Sequence, residues 1–129
     1  MGCIVIQLKL ANFSNPEKSL TISALVDTGA AYITLPSAWR AALGGVEQLA
    51  EVGVEMADQS ARTGFLCGPV RAMIGEFRPI IAEVLFLDME PGEDGQYEAL
   101  LGYIPLEQAG AAVDMLGHRL LHVNRVDLK

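Results

Sequence analysis

Cysteine is scarce in this chain. Cys3 and Cys67 are the only two in 129 residues, too few for a disulfide framework and without metal-ligand spacing. Both are expected to be reduced packing residues. Histidine is equally rare. His118 and His122 would share one face of a strand, yet too far apart to grip one ion, so no zinc site is expected. Basic residues are also few: 9 Lys and Arg stand against 16 Asp and Glu, for a net charge of -7. With no basic stripe to neutralise phosphates, a nucleic-acid partner is disfavoured. An anionic membrane surface is disfavoured for the same reason. No apolar run reaches the roughly 20 residues that span a bilayer. The longest candidate, Ile80–Leu87, carries Glu83. The N-terminus lacks the basic and long apolar regions of a signal peptide, so a cytoplasmic location is expected.

What is present is apolar sequence in short alternating runs. Hydrophobic residues make up 51% and charged ones 19%, which suits one folded domain over residues 1–129. Ile4, Ile6, Leu8 and Leu10 alternate with other residues and predict a strand over 3–10. Asn12-Phe13-Ser14-Asn15-Pro16 is a turn cluster. Leu20, Ile22, Ala24 and Val26 predict a second strand over 20–26, and Tyr32-Ile33-Thr34-Leu35 a third. Pro36 and Ser37 suit the start of a short helix that Gly44-Gly45 would end. Val52, Val54 and Met56 predict a strand leading to a turn at Asp58-Gln59-Ser60. A return strand carries Phe65-Leu66-Cys67, Val70, Ala72 and Ile74, and Gly75-Glu76 turns the chain. Ile80–Leu87 is a further strand. Residues 88–95 form an acidic loop, exposed and expected to be a solvated connection, with recognition of basic substrates as the lesser reading. A short strand reaches Gly102, a helix runs from near Pro105 to near Gly110, and residues 119–123 form a last strand. Leu43, Leu49, Val84 and Phe86 are expected in the core. Trp39 and Tyr103 are expected to pack on the sheet.

The stretch that carries most information is Asp27-Thr28-Gly29-Ala30. It places a short-tethered carboxylate where an apolar strand ends, followed at once by a turn-permitting Gly. The same design recurs faintly in the second half, where Leu100-Leu101 stand before Gly102 as Leu25-Val26-Asp27-Thr28 stand before Gly29. Taken alone, Asp-Thr-Gly is also what an ordinary turn uses.

With its surroundings, the chain resembles the retroviral-type (retropepsin-like) aspartic proteases. Ala24-Leu25-Val26-Asp27-Thr28-Gly29-Ala30 matches the family's strand and Asp-Thr-Gly turn. Leu100-Leu101-Gly102-Tyr103-Ile104-Pro105-Leu106-Glu107-Gln108-Ala109-Gly110 matches its apolar-apolar-Gly segment and short helix. Ala57-Asp58-Gln59-Ser60 resembles the tip of its hairpin flap, with Gln59 where Gly is common. The resemblance implies a mostly β, closed barrel of the acid-protease type with two short helices. It also implies aspartic endopeptidase activity with no cofactor or metal.

Hydrolysis by carboxylates needs two of them. One is ionised to take a proton from water, and the other is protonated to donate to the scissile carbonyl. Two close aspartates share one proton and titrate as a pair, which predicts a bell-shaped rate profile. The chain has one Asp-Thr-Gly. Asp58 reads as a turn residue, Asp88 and Asp94 belong to the acidic loop, Asp114 follows a helix, and Asp127 lies near the terminus. The expected partner is therefore Asp27 of a second copy, in a twofold homodimer. The resemblance assigns Asp27 as catalytic, Thr28 to a hydrogen bond across the axis, and Gly29 to a backbone N–H against the carboxylate. Ala30, Met56, Ala57, Asp58, Gln59 and Ser60 are the implied substrate-binding residues. A flap at residues 56–61 would close over an extended polypeptide substrate, and apolar pockets would favour apolar side chains at the cut. The competing expectation is a non-catalytic β-barrel module that binds peptides or mediates association, with Asp27 structural.

Overall fold

The computed structural model describes residues 3–55 and 58–123, and they are mostly β. The first strand, β1 (Val5–Asn12), buries Leu8 and Leu10 and exposes Gln7 and Lys9. A two-residue turn at Phe13-Ser14 leads into β2 (Asn15–Val26). β1 therefore begins and ends two residues later than its alternation implied. The turn forms because Asn12 holds it from inside. Its Oδ1 accepts the Ser14 N–H at 3.0 Å and its Nδ2 donates to the Leu43 carbonyl at 2.7 Å. Asn12 is only 8% exposed, so Asn12→Ala leaves the buried Leu43 carbonyl without that donor. The expected loss is about 1–3 kcal/mol, read as a lower denaturant midpoint at unchanged m-value.

Next come β3 (Ile33–Pro36), wholly buried, and a 3-10 helix over Ser37–Leu43. Gly44, in the left-handed region at φ 74°, ends that helix by donating its N–H to the Ala41 carbonyl, the conformation that made Gly44-Gly45 legible as a stop. The remaining sheet strands are β4 (Gln48–Glu55), β5 (Ala61–Ile74), β6 (Ile80–Leu87) and β7 (Ala99–Leu101). They are followed by α1 (Tyr103–Ala109) and a separate two-stranded sheet of β8 (Ala111–Asp114) and β9 (Arg119–His122). The seven-stranded sheet has the order β1-β2-β7-β3-β6-β5-β4, and β1 also pairs with β5. Two pairings are parallel, β2 with β7 and β3 with β6; the others are antiparallel. Leu8, Leu10, Ile33, Leu35, Val70, Ile74, Val84, Phe86 and Leu101 fill the core.

Several expectations are corrected. Leu49 is 46% exposed, and the buried position nearby is Val46. The β4–β5 register shifts between Gln48 and Ala50, so Leu49 is the extra residue of a bulge and loses its place in the alternation. Cys67 is buried as expected, but Cys3 is exposed. Trp39 is half-buried against the core and meets Tyr97 edge-on at 5.9 Å, whereas Tyr103 is 43% exposed. The second helix starts at Tyr103, not near Pro105. Pro105 sits in its first turn, where a missing N–H costs no intrahelical bond. Asp114 does not simply follow a helix; it ends β8, a strand the sequence reading missed. His118 lies in the β8–β9 turn at φ 51°, and His122 stacks on Phe77 at 4.2 Å, pinning the small hairpin to the larger sheet.

Candidate functional site

The two halves of the faint repeat lie side by side. β2 and β7 run parallel with Ala24 opposite Ala99, Leu25 opposite Leu100 and Val26 opposite Leu101. The ladder continues into the turn, where the Asp27 N–H donates to the Leu101 carbonyl at 2.9 Å. The chain then closes a tight turn, with the Ala30 N–H donating to the Asp27 carbonyl at 3.1 Å. The Gly29 N–H donates to Asp27 Oδ1 at 2.9 Å. A side chain at position 29 would put its Cβ 3.2 Å from that oxygen. Glycine therefore allows the carboxylate to sit directly over the backbone donor.

The segment after the turn is gripped by the start of α1. Gly102, Tyr103 and Ile104 donate their N–H groups to the carbonyls of Tyr32, Ala30 and Ala31, at 3.1, 2.9 and 3.1 Å. A helix start normally leaves such donors without partners; here they fasten the loop that carries Asp27. The approach is so close that a Cβ on Gly102 would fall 2.5 Å from the Ala30 carbonyl oxygen and 2.6 Å from that of Tyr32. Only glycine permits the crossing.

Asp27, Gly29 and Ala30 line a cleft of about 500 Å³, with Tyr32, Thr34, Leu85, Leu87, Leu100 and residues 52–55 around them. Its walls are largely apolar, and Asp27 is its only aspartate among the described residues. Thr28 is exposed and does not line it. Asp58, Gln59 and Ser60 lie at the end of the β4–β5 hairpin, outside the lining, while Met56 and Ala57 fall outside the described residues. Asp127 does too. Among the expected substrate residues, the structure thus brings Ala30 to Asp27 and leaves Asp58, Gln59 and Ser60 away from the cleft.

The hairpin end is ordered by its own side chains. Asp58 Oδ1 accepts the Ser60 N–H at 2.9 Å and the Ser60 hydroxyl at 2.5 Å. The hydroxyl, then the N–H, hold the Asp58 carboxyl below its ordinary value. Asp114 is lowered likewise, first by the Gly117 N–H and then by Arg119. Both folded values are depressed. The order each gives its turn is present above the usual carboxylate range and is lost as pH falls through the folded value. Gln59 sits at φ 68°, in the left-handed region that glycine adopts without strain. Gln59→Gly should therefore keep or raise stability, by up to about 1 kcal/mol, as read from a thermal or denaturant melt.

The sequence reading did not single out Glu55, Val52, Val54, Leu85, Leu87 or Leu100 for this cleft. Their signal was present in the strand alternation but needed the register to become visible. Val52 is opposite Gly64, which is opposite Leu87, so Val52 and Val54 share the face of Leu85 and Leu87. Glu55 is exposed and alternates with Val52 and Val54 along β4, yet it too lines the cleft. Cys67 is no nucleophile here: it is buried, and burial pushes its thiol above the ordinary value.

No helix among the described residues is long and apolar enough to cross a membrane. No group of His, Cys, Asp and Glu among them is arranged to hold a metal ion. No protein-family model matches the chain, and no curated protein matches it.

Proposed function

We propose that this chain is one protomer of a dimeric aspartic endopeptidase of the retropepsin-like kind. On this reading the pairing circuit from β1 through β2, β7, β3, β6 and β5 back to β1 is the closed barrel of that fold, with the β4–β5 hairpin as its flap. A cytoplasmic location goes with the same reading. The observation that carries it is the state of Asp27. Its carboxylate is held by the Gly29 N–H at the edge of an apolar cleft, on a turn clamped between Leu101 and the start of α1. An ordinary surface turn needs neither the cleft nor the clamp. A binding module would need the cleft but not the acid.

One such carboxylate cannot serve as both base and acid in the same step. A second Asp27, brought by a twofold-related copy, completes the pair. The ionised member takes a proton from water, which attacks the scissile carbonyl carbon. The protonated member gives its proton to the carbonyl oxygen. Collapse of the tetrahedral intermediate returns a proton to the leaving nitrogen and restores the shared proton. Thr28, exposed beside Asp27, is free to bond across the axis, and Val52 and Val54 offer apolar contacts to an extended substrate.

The test is cleavage of a diverse peptide mixture from acid to neutral pH at high protein concentration. A bell-shaped rate profile is expected, with cuts next to apolar side chains. Glu55→Gln, though it alters a residue that lines the cleft, should leave kcat within about twofold, because on this reading the second carboxylate is the other copy's Asp27 and Glu55 takes no part in the proton transfer. A large loss in that variant would move the second carboxylate into the same protomer.

A further inference from the structure

The register carries the cleft floor past its own edge. Thr34 is opposite both Leu85 and Leu100; Leu100 is opposite Leu25; Leu25 is opposite Val5. Partners in register share a face, so Leu85, Thr34, Leu100, Leu25 and Val5 form one row across β6, β3, β7, β2 and β1. The first three line the Asp27 cleft. The last two line a second groove of about 490 Å³, roofed by the loop between β6 and β7. The two depressions are therefore neighbouring parts of one sheet face.

Their chemistry differs. The second groove has an apolar floor at Val5 and Leu25 and a wall bearing Glu90, Asp94 and Glu98. No Lys or Arg lines it. The one ion pair among the described residues, Arg119 with Asp114, lies elsewhere. Asp94 is engaged with the Gln96 N–H at 2.9 Å, whereas Glu90 and Glu98 are exposed. Leu25 and Val5 stand one and two strand spacings from Leu100, roughly 5 and 10 Å. An extended peptide covers that distance in about two or three residues.

We infer that the polypeptide held in the Asp27 cleft continues onto this groove and places a lysine or arginine there, its stem on Leu25 and Val5 and its charge against Glu90 and Glu98. The inference rests on the peptide-cleft reading above and adds a substrate class to it: chains that are apolar at the centre and basic a few residues to one side. Long basic side chains suit such a site, because they bury their methylenes while the head reaches charge at the rim.

The test uses the Asp27→Asn protein at high concentration, so that peptides bind without being cut. Fluorescent ten-residue peptides with an apolar centre carry Lys, Gln or Glu at each flanking position in turn. Lys two to four positions from the centre should bind about three- to tenfold more tightly than Gln at low salt, with Glu weakest. The gap should close in the Glu90→Gln/Glu98→Gln double variant and in high salt. Equal affinity for Lys and Gln peptides, a gap that survives the double variant, or no binding would overturn the inference. Wild-type protein incubated with the same peptides separates this from hydrolysis. Lysine-selective binding without Asp27-dependent cuts would remove the peptidase and keep the groove. Cleavage indifferent to lysine and to both glutamates would remove the groove and keep the peptidase.

Discussion

On the proposed reading, Asp27→Asn should abolish peptide hydrolysis, lowering kcat by at least about a thousandfold, while the protein stays folded. The substitution is isosteric, and the amide oxygen can still accept the Gly29 N–H that Asp27 Oδ1 accepts at 2.9 Å. The Leu101 and α1 contacts to the turn are made by backbone and do not change. Binding of an extended peptide should therefore survive, and the loss should fall on kcat with KM within a few fold. What disappears is the group that can carry a negative charge, take a proton from water and share one with a second carboxylate. The measurement is steady-state kinetics on a cleaved peptide, with a thermal melt alongside. Unchanged cutting by a well-folded Asp27→Asn protein would end the aspartic-protease reading and leave Asp27 as a turn residue.

Gly102→Ala has the largest expected effect on the fold. Its methyl would need to occupy space 2.5 Å from the Ala30 carbonyl oxygen and 2.6 Å from both the Ala31 carbonyl carbon and the Tyr32 carbonyl oxygen. All three are backbone atoms of a segment held on both sides, so no flexible side chain can give way. Either α1 moves off the loop, breaking the bonds from Gly102, Tyr103 and Ile104, or the loop moves and carries Asp27 with it. The expected cost is about 3 kcal/mol or more, a large fraction of the 5–15 kcal/mol that usually holds a domain together. Chemical denaturation should show a sharply reduced midpoint. Gly53→Ala is the control, since a Cβ there meets nothing within 4 Å. If Gly102→Ala melted with the control, the close crossing would not be a constraint on this fold.

The parts of the fold that were legible are those where periodicity and punctuation agree. Ile80–Leu87 was bounded correctly because Pro79 and Asp88 flank a strand that is apolar except for the exposed Glu83. Gly44 and Gly110 both mark helix ends with positive φ, as a glycine after an apolar run suggests. Asp27-Thr28-Gly29 and Leu100-Leu101-Gly102 could be paired by pattern, but their pattern could not give the register that makes them neighbours. The misses have physical causes. Leu49 is displaced by a bulge. The helix start at Tyr103 depends on acceptors more than 70 positions away in sequence, at Ala30 and Ala31. β8 is too short, at Ala111–Asp114, for alternation to show. The second groove was out of reach as well, because it joins residues from β1, β2 and the loop ahead of β7.

The most direct test of a shared site is a mixing series of wild-type and Asp27→Asn protein at constant total concentration. The mixtures are allowed to exchange partners before cleavage is measured. If each active unit needs Asp27 from both copies, random pairing leaves about a quarter of the dimers active at equal parts, so activity follows the square of the wild-type fraction. Diluting the wild type should also lower its specific activity as dimers dissociate. Activity that stays proportional to the wild-type fraction, at half in the equal mixture, with specific activity independent of dilution, would mean that one protomer works alone. The two-copy account would then be wrong.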